Sequence, residues 1–377
     1  MKMKRQSASD KLDYHINLDQ SGEELVIVHN TIDDGGGLDG SSVEGGAYVV
    51  DDVKEVLAET RMKITELPPI TMDLTQKDSG DPSARYLKDI VKHTDKAADQ
   101  IESLFRQGKK VLSLGGNHVR ALDVIGAMRA SHALGMPLGI LWVDAHPDLN
   151  TPESTVSGHI HGMPTSVFHG YGPSALVQLL KDTPSIDPQN FMYIGINAID
   201  HPKNEDGSER KNTELTHLRE LIRKGVQCFT IEEIKETRYK GRVPDTVKRA
   251  VTEFFDRLNA RHGKLWVEWD VDVVDTTDMP AAAMDNLDGM SAAQIHDLFN
   301  HIGSRCSIDG LGISEIVPAK DRDGKSVRLI AESVGNIFGV SNPSYSKHMQ
   351  KARMLKHKTR PTSRKSSSVK KTELTDN

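Results

Sequence analysis

Short apolar runs recur along this chain, separated by longer stretches in which apolar positions return every three or four residues. The runs read as strands at residues 25–29, 110–114, 139–143, 191–196, 226–230, 265–270 and 310–315. Most are apolar nearly throughout, the pattern of parallel strands covered on both faces. Helical spacing fits residues 92–107, 118–134, 174–182, 214–224, 242–261, 291–303 and 325–338. This alternation predicts an α/β fold, a single domain with a central, mostly parallel sheet flanked by helices on both faces. Gly35-Gly36-Gly37 and Gly45-Gly46 mark an early loop, and their spacing is not that of a nucleotide-binding loop.

Candidate chemistry sits where three of these runs end. Ile140-Leu141-Trp142-Val143 runs straight into Asp144, His146 and Asp148 at alternate positions. Alternate residues of an extended chain point the same way, so two carboxylates and an imidazole are aimed together from a strand's carboxyl end. Open α/β sheets place their ligands there. Val111-Leu112-Ser113-Leu114 leads into Gly115-Gly116-Asn117-His118, and Leu265-Trp266-Val267 leads into Glu268-Trp269-Asp270-Val271-Asp272. His118, Asp144, His146, Asp148, Asp270 and Asp272 are more ligands than one catalytic zinc with an open position takes. They suit two divalent ions sharing a bridging carboxylate. The four aspartates carry a formal charge of −4, which two such ions balance. Buried without them, the carboxylates are very costly.

These motifs resemble those of the arginase–agmatinase family of binuclear manganese ureohydrolases. The family signatures GGDH, DAHxD and SFDxD stand here as GGNH, DAHPD and EWDVD. The resemblance runs from about residue 22 to about residue 340, and it leans to the arginase branch through Asp148-Leu149-Asn150-Thr151-Pro152 and Ser157-Gly158-His159-Ile160-His161-Gly162. It implies a small guanidino substrate, foremost L-arginine cleaved to L-ornithine and urea. It implies two Mn²⁺, with Co²⁺ or Ni²⁺ as substitutes, on the six ligands, and assembly as a homotrimer or homohexamer. It further implies substrate-carboxylate recognition by Asn150 and Ser157, beside His159 where the family has Asn. Asp200 is implied to hold the α-amino group, Glu315 to contact the guanidinium, Asp148 to relay a proton and His161 to shuttle one. The residues agree with this on their own terms. A guanidinium needs a buried carboxylate, and Glu315 follows the apolar run Leu311-Gly312-Ile313; amide and hydroxyl donors suit a carboxylate. The chain departs from the family pattern at Asn117, His159, Ala198 and residues 279–285, where the usual Thr-Gly pair is missing. Agmatinase, guanidinobutyrase or formimidoylglutamase activity, and a non-catalytic binding role, are the alternatives the sequence leaves open.

Composition narrows the setting. Two cysteines, Cys228 and Cys306, stand in no close-spaced motif, which points to a reducing, cytoplasmic compartment. The opening Met1-Lys2-Met3-Lys4-Arg5 continues in polar residues, without the apolar stretch of a secretory signal. No run is long enough to span a bilayer. The net charge of −6 is uneven: residues 347–377 hold ten Lys/Arg against two acidic residues, a local +8 that leaves the rest near −14. The expected organisation is a polar extension over 1–21, a catalytic domain over 22–346 and a basic, disordered tail over 347–377. Neither a nucleic-acid nor a membrane partner is indicated, and the partner of the basic tail is undefined. Residues 201–213 read as an exposed loop near the mouth of the site.

Overall fold

The chain packs its apolar runs edge to edge. In a computed structural model, residues 22–32, 43–72, 80–199, 213–235 and 241–340 are described. Among the described residues nine strands form the centre: β1 (Glu24–Thr31), β2 (Lys63–Glu66), β3 (Ile70–Thr71), β4 (Lys110–Leu114), β5 (Leu138–Val143), β6 (Phe191–Ile196), β7 (Gln227–Thr230), β8 (Lys264–Asp270) and β9 (Gly310–Ser314). Their order is β2-β1-β4-β9-β8-β5-β6-β7, with β3 also on β1, and every pairing is parallel. The expected α/β architecture is the one observed. β2 and β3 escape the sequence pattern because one reads KITE, half polar at the sheet edge, and the other is two residues long.

Strand side chains alternate between two cores. On β5, Leu141 and Val143 enter a core with the helices Gly45–Leu57, Asp245–Asn259, Ala292–Arg305 and Lys325–Ile337. Ile140 and Trp142 enter the opposite one, with the helices Leu87–Arg106, Val124–Ala133 and Glu214–Lys224. Burial on both faces is why these strands show so little polar alternation.

Three expectations change, one being the helical pattern at 174–182, which shortens to an α-helix of 4 residues, Ser174–Val177, and a 3-10 turn, Gln178–Leu180. Gly45-Gly46 opens a helix instead of lying in a loop. A Cβ on Gly45 would come within 2.6 Å of the Ile316 carbonyl oxygen, so these glycines permit close packing of a helix start on strand ends. The helical pattern at 118–134 divides into a tight 3-10 turn, His118–Asp123, followed by the α-helix Val124–Ala133. The extension 1–21, Gly35-Gly36-Gly37, residues 201–212 and the tail 347–377 lie outside the described residues. Among those described, no helix is long and apolar enough to cross a membrane.

A polar row runs under the turn His118–Asp123. Ser113, Gly312 and Glu268 are in register on β4, β9 and β8. Ser113 Oγ donates to Asp123 Oδ2 at 2.6 Å, and the guanidinium of Arg120 pairs with Glu268. Both members of that ion pair are fully buried. Burial pulls Arg120 down to about 10, against the pull of Asp123, Asp270 and Glu315, so it stays protonated at neutral pH. Gly312 makes the room: a Cβ there would collide with Glu268 Oε2 and Arg120 Nη2. Gly312→Ala is therefore expected to destabilise the fold by about 1–3 kcal/mol, the usual cost of overpacking. Chemical denaturation checks this, and an unchanged midpoint would show that the ion pair is not held in this geometry.

Candidate functional site

β4, β9, β8 and β5 are neighbours in the sheet, and the site is built where they end. The ends of β5 and β8 are each turned by their own side chain. Asp144 Oδ1 accepts from the His146 N–H at 2.7 Å, and Asp270 Oδ1 accepts from the Asp272 N–H at 2.8 Å. These Asx turns leave the second carboxylate oxygen of each aspartate facing His118. Asn117 Oδ1 accepts from the Val119 N–H at 2.9 Å, capping the turn that carries His118. An amide oxygen serves that cap as a carboxylate would, so the departure from Asp at this position keeps the turn. Asp148 and Glu315 adopt left-handed backbone, with φ of 45° and 64°. Such strain costs of order 1–3 kcal/mol each and collects at functional sites.

The six sequence-predicted ligand candidates converge. His118 Nδ1 lies 2.8 Å from Asp148 Oδ2, 3.1 Å from Asp270 Oδ2 and 3.2 Å from Asp144 Oδ2. His146 Nδ1 lies 3.1 Å from Asp272 Oδ2 and 3.7 Å from Asp144 Oδ1. Two groups result, His118–Asp144–Asp148 and Asp144–His146–Asp272, each with its donor atoms close enough to hold one cation. Asp144, and not Asp148, is common to both. The Trp142 ring stacks on His118 at 4.6 Å between centroids and fixes the imidazole plane.

The charges in this pocket conflict. Burial raises Asp270 well above the ordinary carboxylate value, and the Asp272 and Asp144 carboxylates raise it further. Burial likewise pushes Asp148 up to about 6 against the opposing charge of His118. Asp144 stays low although burial works against its charge, because the imidazoles of His118 and His146 both face it. Asp144 Oδ2, Asp148 Oδ2, Asp272 Oδ1 and Glu315 Oε2 are buried and accept no hydrogen bond. Buried lone pairs without donors, in an excess of negative charge, fit divalent cations.

Glu315 and His161 border this centre. Glu315 Oε1 accepts from the His118 N–H at 2.6 Å, and His161 Nδ1 lies 3.8 Å from the same oxygen. Burial opposes protonation of His161, but the Glu315 carboxylate outweighs it and raises the imidazole's affinity for a proton. The segment from Asp148 to His161 folds back on itself, with the Asn150 N–H donating to the Gly162 carbonyl at 2.9 Å. Along it, Asn150 is buried, His159 half-buried and Ser157 exposed. The His159 ring meets His161 edge-on at 5.8 Å. The altered loop packs behind Glu315, the Ala283 N–H donating to its carbonyl at 2.9 Å. Asp200 lies outside the described residues. Sequence reasoning missed Arg120, Glu268 and Arg85. Glu268 was visible within EWDVD, but no local spacing signals a buried partner 148 residues away, and Arg85 reaches the site from a loop that precedes every motif.

Comparison with known proteins adds the decisive observation: the profile of the Arginase family matches residues 39–339. This chain belongs to the arginase family. It is accordingly a hydrolase of the arginase-like ureohydrolase type, and the family's dependence on a binuclear metal centre agrees with the two groups described above. The arginase of Bacillus caldovelox is 26% identical over 289 residues, covering 76% of this chain and 88% of that protein. Its crystal structure superimposes with a TM-score of 0.72 at 23% identity, over 84% of this chain and 98% of the other. The formimidoylglutamase of Bacillus subtilis shares the fold at a TM-score of 0.57 and 15% identity, over 85% and 88% of the two chains. One architecture thus serves more than one substrate.

Because Asp144 belongs to both groups, Asp144→Asn is expected to lower divalent-metal content at both positions, whereas Asp148→Asn lowers it at one. Elemental analysis of desalted, metal-exposed protein distinguishes them, and equal losses in the two variants would contradict the shared carboxylate.

Proposed function

We propose that this chain hydrolyses the guanidino C–N bond of L-arginine, releasing L-ornithine and urea. The observation that carries the reading is polarity along one segment: the acid centre at Asp148 is followed by amide and hydroxyl groups at Asn150 and Ser157. A guanidinium drawn to the acid end leaves an amino-acid carboxylate near those donors. The six residues His118, Asp144, His146, Asp148, Asp270 and Asp272 are read as ligands of two Mn²⁺, with Co²⁺ or Ni²⁺ able to substitute. Bound there, such cations supply Lewis-acid activation of water at neutral pH.

The chain's own groups do the rest. Glu315 offers Oε2, which accepts no hydrogen bond in the pocket, to the guanidinium N–H groups. Asp148 takes the proton released on attack and passes it to the leaving amine. His161 is 28% exposed beside Glu315, and so connects the buried acids to solvent as the proton carrier. His159 stands beside the carboxylate donors, and Asp200 is assigned to the α-amino group. A homotrimer or homohexamer in the cytoplasm is the proposed setting, the latter in keeping with free thiols at Cys228 and Cys306. The catalytic domain is taken as residues 22–346, with 1–21 and 347–377 as extensions.

Urea release should be fastest with L-arginine among L-arginine, agmatine and 4-guanidinobutyrate, and should depend on added Mn²⁺. Faster turnover of agmatine, which lacks the carboxylate, would move the assignment to another ureohydrolase. His161→Asn should keep its metal content and slow turnover by about tenfold or more. A pH–rate profile identical to that of the unsubstituted enzyme would remove His161 from proton transfer.

A further inference from the structure

Arg85 reaches the rim of this pocket from a separate segment. Its backbone N–H donates to the Gly158 carbonyl at 2.9 Å, tying residues 80–86 to the loop that bears Ser157 and His159. The fit is close: Gly158 has φ 74°, and a Cβ on it would collide with the Pro82 carbonyl. The next residue, Tyr86, holds φ 56° at the start of the helix Leu87–Arg106. A strained turn and an interlocked loop therefore set where Arg85 stands.

Its side chain lies against His159, with Nη1 3.3 Å from Nε2. Arginine only donates, so His159 Nε2 accepts and the ring proton sits on Nδ1. Arg85 Nε is buried and has no acceptor. Among the described residues no carboxylate pairs with this guanidinium. A permanently charged, half-buried group without a counter-ion is costly and calls for an anion from outside. From Arg85 a line of side chains runs inward: His159, then His161 at 5.8 Å between rings, then Glu315 at 3.8 Å from His161. A cation stands at the outer end of that line and a carboxylate at the inner end.

We propose that Arg85 recognises the substrate's carboxylate, alongside Asn150 and Ser157, and so sets the preference of this site for guanidino acids over guanidines that lack a carboxylate. The inference rests on the reading of the pocket as a guanidino-hydrolase site. A planar guanidinium meets a carboxylate through two parallel N–H donors, a stronger and more directional contact than hydroxyl or amide donors give.

The test compares Arg85→Met and Arg85→Lys with the unsubstituted holoenzyme on L-arginine and on agmatine, which share the guanidinium but not the carboxylate. Arg85→Met is expected to raise KM for L-arginine by about tenfold or more, change kcat little and leave agmatine kinetics unaltered. Arg85→Lys should restore part of the loss, since a lysine keeps the charge but not the fork. Equal loss on both substrates, or an unchanged KM for L-arginine, overturns the assignment. Calorimetric binding of L-ornithine to the same metal-loaded proteins gives a readout apart from turnover. Weaker binding in Arg85→Met, with circular dichroism and metal content unchanged, supports the role, and equal binding overturns it. Absence of urea release from either substrate by the unsubstituted protein would defeat the hydrolase reading, leaving the binding comparison to decide Arg85. Absence of L-ornithine binding as well would overturn both.

Discussion

Five carboxylates share one buried pocket, and the rest of the structure can be read as a response to their repulsion. Asp144, Asp148, Asp270, Asp272 and Glu315 are each less than 10% exposed. Two like charges about 4 Å apart repel by about 4 kcal/mol at the effective dielectric of a protein, and Asp144 has ligand oxygens of both Asp148 and Asp272 within 4.8 Å. Against a net fold stability of roughly 5–15 kcal/mol, that repulsion demands positive charge in the pocket. The histidines supply part of it. The buried oxygens that accept no hydrogen bond show where more is needed, and a binuclear metal centre of the kind the family depends on would supply it.

Parallel strands make this convergence feasible. Four neighbouring strands end together, and Asx turns at Asp144 and Asp270 use one carboxylate oxygen to shape the chain while the other faces the centre. Beneath the centre the Arg120–Glu268 pair presents a second arrangement of charge. Glu268 Oε1 lies 3.5 Å from His118 Nε2, on the far side of the imidazole from the aspartates. Carboxylates behind an imidazole orient it and raise its basicity. Arg120 keeps that carboxylate from adding to the excess negative charge.

Much of this was legible in the sequence, for identifiable reasons. All seven expected strands exist because burial on both faces leaves a continuous apolar run. His118, Asp144, His146, Asp148, Asp270 and Asp272 come together because period-two spacing at strand ends is a geometric statement. What failed to show depends on tertiary context. β2 is half polar because it lies at the sheet edge. Gly45 and Gly46 looked like a loop, but they serve close packing that only the folded chain reveals. The sharing of Asp144 between both groups, like the partners of Glu268 and the approach of Arg85 to His159, follows from strand order and loop docking, which no local motif encodes.

Asp144 belongs to both ligand groups, so two cations bound there would sit at adjacent positions joined through its carboxylate. The electron paramagnetic resonance spectrum of the protein titrated with Mn²⁺ tests it most directly, because neighbouring Mn²⁺ ions couple their spins while distant ones do not. A coupled spectrum is expected to grow in as the second equivalent binds and to be absent from Asp144→Asn. A spectrum of isolated ions at every loading would contradict it.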